Sequence, residues 1–304
     1  MIKYLILFFP LMAFANFNFT KDLSLEPLDE HKFGEKLSSD IFDVDEWPSE
    51  IAFNDKNYKI NYTFNDDLTN YIKKQLRRYR SDYASVVVID NNTGKILSAV
   101  DYTRKTKKFG KNLTFSSTNP AASIFKVITA ASLIQNDHLS EESKFTYNGR
   151  ATTLYKYQLK DKKNRWTRTI PFQRAFAFSN NVVFGKAAIK NSNFSELSKM
   201  ANRFGFNKDI LQMVGAGSSK LLTTDTNYEL AELASGFNRQ TMISPIHGAI
   251  IASVVANDGL LRKPTVIESV KDSQHERLVW KPRFEIERVL SKESNKTLQN
   301  LMEA

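Results

Sequence analysis

The sequence predicts an α+β fold in which buried helices pack beside a small antiparallel sheet. The strand evidence is two apolar runs, residues 85–89 and 96–100, joined by a short polar turn that contains Gly94. This pattern is typical of a β-hairpin. The helix evidence is residues 123–134 and 245–257, two long runs with almost no polar face. Such runs predict helices that are buried on most sides.

Length and composition are those of a globular protein. The chain has 304 residues, enough for one large domain or two small ones, and 41% of them are hydrophobic. It contains no cysteine, which excludes disulfides and thiolate chemistry. Its four histidines are scattered without the spacing of metal ligands, so we expect no zinc site.

Residues 1–15 have the pattern of a secretory signal peptide. Lys3 supplies the charged start, residues 4–12 the apolar core, and Ala13-Phe14-Ala15 a small-residue cleavage site. The apolar run is short for a membrane span. We therefore expect export and cleavage after Ala15, with an uncleaved anchor as the alternative.

The charge of the chain is unevenly distributed. Residues 21–56 hold four lysines and eleven acidic residues, although the whole chain has a net charge of +10. We expect residues 16–65 to form an acidic arm or linker that packs loosely. The basic remainder favours an anionic envelope polymer or a membrane surface as a partner, since an exported protein seldom meets nucleic acid. A basic surface that only keeps the protein soluble is the alternative.

Further segments predict helices from their apolar periodicity and flanking caps. They are residues 66–80, 171–190 with an interruption at 179–181, 194–204, 227–234 and 291–302. Residues 102–118 and 144–170 are polar, and we expect loops there.

A serine and a lysine lie three residues apart at the start of the first buried helix. Pro120 fits a helix start, and the i, i+3 spacing places Ser123 and Lys126 on one face. Burial and the positive helix end both disfavour the ammonium form of lysine. A neutral amine can take the proton of the serine and activate it as a nucleophile. The alternative is a serine cap beside a lysine whose stem reaches water.

A second polar pair, Ser179 and Asn181, interrupts the later helix. A second hydroxyl can relay a proton, and an asparagine amide can orient a substrate amide. On its own this pattern is more typical of a turn. Another Ser-x-Asn match, Ser117 to Asn119, is attributed to chance.

Together these motifs resemble penicillin-binding protein transpeptidase domains, which combine Ser-x-x-Lys with a Ser-x-Asn type motif and Lys-Thr-Gly. Residues 119–131 resemble the active-serine helix of that family, and residues 169–181 its second motif region. Residues 87–100 are similar to its first hairpin, and residues 244–259 to a later helix. The resemblance spans residues 66–304, is closest to the bifunctional class A type, and implies a β-lactamase/transpeptidase-like α+β fold.

The resemblance also implies roles for the four polar residues. Ser123 would attack the carbonyl of the penultimate D-alanine of a peptidoglycan stem peptide, and Lys126 would take its proton. Ser179 and Asn181 would position the substrate and pass a proton to the leaving D-alanine. The Ser123 N–H would supply half of an oxyanion hole. The implied partners are peptidoglycan stem peptides and, as covalent inhibitors, β-lactams; the implied location is the periplasm or cell envelope, and no cofactor is implied.

The third motif of the family has no match. Lys296-Thr297-Leu298 has the wrong third residue and lies in a helical pattern. The resemblance therefore implies a domain truncated at its C-terminus, whose sheet is represented by the N-terminal hairpin only. The alternatives are a non-catalytic penicillin-binding-like module that binds cell wall or partner proteins, and a β-lactam sensor or β-lactamase. No Glu-x-x-Leu-Asn run is present to hold a deacylating water, which disfavours a β-lactamase.

Overall fold

The fold is that of a computed structural model, which describes residues 28–43, 46–215 and 218–303. The expected signal peptide, residues 1–15, lies outside this part of the chain. Among the described residues, no helix combines the length and the apolar character needed to cross a bilayer.

The described residues form ten α-helices, and the helices expected from periodicity are confirmed with ends that shift by a few residues. The helices are α1 (Glu30–Asp43), α2 (Asp66–Leu76), α3 (Asn112–Phe115), α4 (Phe125–Asp137), α5 (Phe172–Ala177), α6 (Asn181–Asn191), α7 (Phe194–Arg203), α8 (Asn227–Ser235), α9 (Pro245–Ala256) and α10 (Lys292–Met302). Two 3-10 turns accompany them, Ala122–Ile124 and Lys156–Leu159.

The strands are short and antiparallel. They are β1 (Glu50–Phe53), β2 (Lys56–Tyr62), β3 (Tyr83–Ile89), β4 (Ile96–Thr103), β5 (Lys108–Gly110), β6 (Asn119–Pro120), β7 (Lys144–Tyr147), β8 (Arg168–Pro171), β9 (Met242–Ile243), β10 (Leu260–Arg262), β11 (Ile267–Asp272), β12 (Leu278–Trp280) and β13 (Ile286–Arg288). The expected α+β class is confirmed.

The expected hairpin is β3 and β4, with Val86 opposite Val100. The sheet content exceeds this hairpin, because β5 extends it and a separate sheet forms in the order β1-β2-β11-β12. The segments expected to be loops hold β5, β7 and β8. Strands of three or four residues carry too little alternation to be recognised in a sequence.

Residues 28–65 differ from the loosely packed arm that their acidic composition predicts. Helix α1 buries Phe33, Leu37 and Ile41 completely, and β2 pairs with β11, with Ile60 opposite Val270. The three buried side chains recur every four residues, so they form one stripe of the helix while the acidic residues occupy the others. This corrects the expected acidic arm or linker over its described part.

Two hydrophobic cores share helix α9. The helical core surrounds α4, in which every residue from Phe125 to Ile134 is buried. The sheet core lies between α1 and the four-stranded sheet. Helix α9 contributes Ile250 to the sheet core and Val254 to the helical core. It therefore connects the two parts of the molecule.

Three segments meet beside α4 and build the functional region. They are the 3-10 turn before α4, the turn between α5 and α6, and the end of α8. Thr129 Oγ1 donates a hydrogen bond to the Ala234 carbonyl over 2.8 Å, which fixes α8 against α4. Helix α6 packs against both α4 and α8. These contacts set the positions of the polar side chains described next.

Candidate active site

The expected nucleophile and base lie at the entry to α4. Ser123 is exposed in the 3-10 turn Ala122–Ile124, whereas Lys126 is only 2% exposed. Lys126 Nζ and Ser123 Oγ are 3.1 Å apart and hydrogen-bonded. The helix begins later than Pro120 predicted, because Pro120 lies in β6 and pairs with Met242 of β9.

Two oxygen acceptors hold the amine of Lys126. Its Nζ donates to Asn181 Oδ1 over 2.7 Å and to the Ser235 carbonyl over 2.5 Å. A neutral amine has two N–H groups and one lone pair. If the two N–H groups go to these acceptors, the lone pair faces Ser123 Oγ, and the serine hydroxyl can donate to it. The geometry therefore suits a lysine that acts as a base.

Burial lowers the basicity of the same lysine. Desolvation lowers the pKa of Lys126 from 10.5 to about 8, because the apolar surroundings penalise the charged form. The ring of Phe184 is one of these surroundings, with its centre 5.7 Å from Nζ. The neutral amine that a general base requires is thus far more accessible near neutral pH than it is in an ordinary lysine.

Ser179 brings a second hydroxyl to the nucleophile. Its Oγ donates to Ser123 Oγ over 2.8 Å. It lies in the turn between α5 and α6, where the sequence predicted an interruption. Ser123, Lys126 and Ser179 therefore form a continuous path of hydrogen bonds along which a proton can move.

The two asparagines after Ser179 have separate structural tasks. Asn180 caps α6, since its side chain accepts from the Val183 N–H over 3.1 Å. Asn181 accepts from Lys126, and its Nδ2 donates to the Thr152 carbonyl over 3.0 Å. Because both ends of the Asn181 amide already have protein partners, this residue first of all orients the lysine.

The backbone is strained at two positions that touch the site. Ala122 has φ +47° and Ser179 has φ +49°, and neither residue is glycine. Side chains with a Cβ adopt this left-handed region at a cost of about 1–3 kcal/mol. Packing around both turns offsets this strain, which keeps the two hydroxyls together.

Residues 84–304 match the penicillin binding protein transpeptidase domain. The chain belongs to the penicillin-binding protein transpeptidase domain family. A curated relative of this transpeptidase-family chain is the peptidoglycan D,D-transpeptidase PbpA of Mycolicibacterium smegmatis, 26% identical over 252 residues. The match covers 72% of this chain and 50% of that relative, so the chain spans about half the length of the relative.

Solved structures share the fold of the transpeptidase-family chain. Penicillin-binding protein A from Mycobacterium tuberculosis has a TM-score of 0.65 at 21% identity, with 81% of this chain and 62% of that chain covered. Penicillin-binding protein 3 from the same organism, in its apo form, has a TM-score of 0.69 at 18% identity, with 87% and 63% covered. A penicillin G acyl-enzyme complex of penicillin-binding protein A has a TM-score of 0.63 at 21% identity, with 89% and 66% covered.

Two parts of the site, a backbone carbonyl and a glycine, were not predicted from the sequence. One is the carbonyl of Ser235, and the other is Gly236, which ends α8 at φ +66°. A Cβ on Gly236 would lie 1.8 Å from the Ala122 carbonyl oxygen. Only glycine therefore allows the end of α8 to approach this closely. The signal available was a glycine directly after an apolar helix, which is typical of a C-cap.

Three exposed apolar side chains stand next to site residues in the sequence of this transpeptidase-family chain. Ile124 is 45%, Phe178 62% and Phe237 44% exposed, and each neighbours a site residue in sequence. Large apolar groups clustered at the surface mark a binding site more often than chance exposure.

The segment that comes nearest to the Lys-Thr-Gly motif lies on a helix. Lys296, Thr297 and Leu298 belong to α10, and Leu298 is completely buried in the helical core. This agrees with the helical pattern predicted there. The described residues of the site thus comprise the first two motifs together with the end of α8.

Proposed function

We propose that this chain is a penicillin-binding serine D,D-transpeptidase or D,D-carboxypeptidase that acts on peptidoglycan stem peptides. The observation that carries the proposal is the set of contacts around Lys126 Nζ. Two acceptors engage its N–H groups, and its third direction faces Ser123 Oγ at 3.1 Å. Family membership and the D,D-transpeptidase activity named for a relative support it.

In the proposed reaction Ser123 Oγ attacks the carbonyl carbon of the penultimate D-alanine while its proton passes to Lys126. The tetrahedral intermediate collapses as the bond to the terminal D-alanine breaks. The leaving amine takes the proton of the Ser179 hydroxyl, which lies 2.8 Å from Ser123 Oγ, and the proton held by Lys126 then replaces it on Ser179. The product is an ester between Ser123 and the stem peptide.

The second half of the proposed reaction decides which enzyme the protein is. An amine from a neighbouring stem peptide resolves the ester in a transpeptidase, whereas water does so in a carboxypeptidase. The substrate lies outside the cytoplasm, which is consistent with the signal pattern of residues 1–15 and with a location in the periplasm or cell envelope. The basic charge of the chain suits an anionic envelope or membrane surface.

Covalent labelling with a fluorescent penicillin tests the proposal. We expect wild-type protein to form a stable adduct at Ser123, located by mass spectrometry of the labelled peptide. Ser123→Ala should abolish labelling. Ser195→Ala, which removes an exposed serine of α7, is the matched control and should label like wild type.

The same experiment separates the alternatives. A folded wild-type chain that never labels would contradict the enzyme and favour a non-catalytic binding module. An adduct that hydrolyses within minutes would indicate a β-lactamase. Circular dichroism of each variant establishes that any loss of labelling is chemical rather than a failure to fold.

A further inference from the structure

A pocket lined by lysines lies on a different face of α6 from the candidate active site. Lys186 follows Asn181 by five residues, which places it roughly 140° around the helix axis. The pocket lies between α6, the hairpin β7–β8 and the 3-10 turn Lys156–Leu159, with a volume of about 460 Å³. We call it the lysine pocket, because it is lined by Lys144, Lys162, Lys163, Lys186 and Lys190.

The positive charge of the lysine pocket is largely uncompensated. Asp161 is its one acidic lining residue, and it pairs with Lys186 over 2.6 Å. Lys186 is 12% exposed, whereas the carboxylate is 82% exposed. Within the described residues, the other four lysines make no ion pair within 4 Å, although Lys190 is close enough to Asp161 to help lower the pKa of that carboxyl. Gathering like charges in one concavity costs free energy that an anionic ligand would recover.

The loop that carries two of these lysines is held in place before any ligand binds. Asn148 Nδ2 donates to the Lys162 carbonyl, and Asn148 Oδ1 accepts from Thr167 Oγ1, both over 2.8 Å. Within the loop, the Asn164 N–H donates to Thr167 Oγ1 over 2.8 Å. Lys162 and Lys163 therefore lie over the pocket on a fixed backbone, which reduces the ordering cost of binding.

Phosphate fits this arrangement better than carboxylate. A phosphate monoester carries a charge of about −1.5 to −2 and three strong acceptor oxygens, so one group can contact several ammonium ions. Five lysines and one aspartate give the pocket a net charge of +4, which two phosphate groups can balance. Balancing the same charge with carboxylates would require four of them in the same volume. Lysine suits phosphate as a compact point charge.

We propose that the lysine pocket binds a ligand with two neighbouring phosphate groups, that is, a diphosphate, free in solution or attached to a lipid. The site is separate from Ser123 and Lys126, and the proposal does not rest on the proposed acyl transfer. If so, the surface around the lysine pocket recognises a ligand other than the substrate of the candidate active site.

Calorimetric titration of the full chain with inorganic diphosphate tests the proposal. We expect saturable binding at one site, weakened about tenfold or more by Lys162→Gln with Lys163→Gln, because two charge-assisted contacts are lost. Lys105→Gln with Lys108→Gln is the matched control. It removes the same charge from exposed lysines outside the pocket, so binding should weaken by less than about twofold.

Vesicles distinguish the two sources of phosphate. Binding to phosphatidylcholine vesicles that contain diacylglycerol diphosphate, displaced by inorganic diphosphate, would assign the ligand to a lipid, whereas saturable diphosphate binding without vesicle binding would assign it to solution. Absence of saturable diphosphate binding, or equal weakening in both double variants, overturns the proposal. Ser123→Ala should bind diphosphate like wild type, so this result is independent of penicillin labelling.

Discussion

The pKa of Lys126 is lowered by burial away from water and not by a neighbouring positive charge. Desolvation is the cause of its lowered pKa, and its partners Asn181 and Ser235 are neutral acceptors. Neutral acceptors hold the amine in place without stabilising the ammonium as strongly as a carboxylate would. The charge state of Lys126 is therefore set by the packing of α4, α6 and α8.

The rate of acylation should follow the ionisation of Lys126. Because the neutral amine is the proposed base, the rate should rise about tenfold per pH unit below the lysine pKa, and level off above about pH 8. The measurement is the rate of adduct formation with fluorescent penicillin between pH 6 and pH 10. A rate that keeps rising to the ordinary lysine pKa of 10.5 would contradict the desolvation argument.

Gly236 should be intolerant of any side chain. Gly236→Ala adds a Cβ 1.8 Å from the Ala122 carbonyl oxygen at a residue with φ +66°, so the turn that carries Ser123 must move. We expect a loss of roughly 1–3 kcal/mol in the free energy of unfolding and a sharp fall in penicillin labelling.

Gly248 offers the matched control for that substitution. It lies in α9, and a Cβ there meets nothing within 4 Å. Gly248→Ala should raise the free energy of unfolding by about 0.5–1 kcal/mol, because alanine has the better helix propensity. Equal behaviour of the two variants in urea titration and labelling would refute the close approach at Gly236.

Side chains of the site were accessible to sequence reasoning, and its backbone groups were not. Ser123, Lys126, Ser179 and Asn181 have motif spacing, and the structure brings all four together. The Ser235 carbonyl has no such signature, since every residue carries a carbonyl. Its role follows only from the place where α8 ends.

At the level of elements, helix α1 shows how composition can mislead. Its acidic residues suggested a solvated arm, yet Phe33, Leu37 and Ile41 are completely buried in the sheet core. The ring of Phe33 also meets Tyr58 of β2 edge-on, with centroids 5.2 Å apart. The helix therefore contributes to stability although it lies outside the residues that match the family.

Truncating the central buried residue of α1 should measure that contribution. Leu37→Ala should lower the free energy of unfolding by about 2–5 kcal/mol through lost burial and a residual cavity. Glu35→Ala, on the exposed face of the same helix, should change it by less than about 0.5 kcal/mol. Urea titration followed by circular dichroism gives both free energies of unfolding. Similar values for the two variants would indicate that residues around α1 pack loosely, as their acidic composition predicts.

The elements that escaped prediction were short or had distant partners. Helix α7 has clear apolar periodicity, α6 and α9 are nearly continuous apolar runs, and all three have capping residues, so they were predicted with nearly correct ends. Strand β2 pairs with β11 across about two hundred residues of sequence. A local pattern cannot specify such a partner, because strand pairing depends on the whole fold.

At the scale of the whole molecule, α9 makes the two cores one cooperative unit. Ile250 packs in the sheet core and Val254 in the helical core of the same rigid helix. Unfolding either core exposes one side of α9 and withdraws support from the other. The family and the α+β class were predictable at this scale, because they depend on motif order and helix burial rather than on individual strand pairs.

A single unfolding transition is the expected result of that coupling. Leu37→Ala in the sheet core and Leu298→Ala in the helical core should both shift one calorimetric peak to lower temperature. Penicillin labelling should disappear across the same temperature range in each variant. Two separate peaks, each moved by only one variant, would show that the cores unfold independently.

The meeting of three distant segments at Lys126 has a consequence for the life of the chain before it is folded. Asn181 and Ser235 lie 55 and 109 residues away from the lysine in sequence. In an unfolded chain the same lysine is an ordinary hydrated ammonium, and Ser123 is an ordinary alcohol. The proposed reactivity is therefore absent while the polypeptide is being made and moved, and it arises only when the tertiary structure is complete.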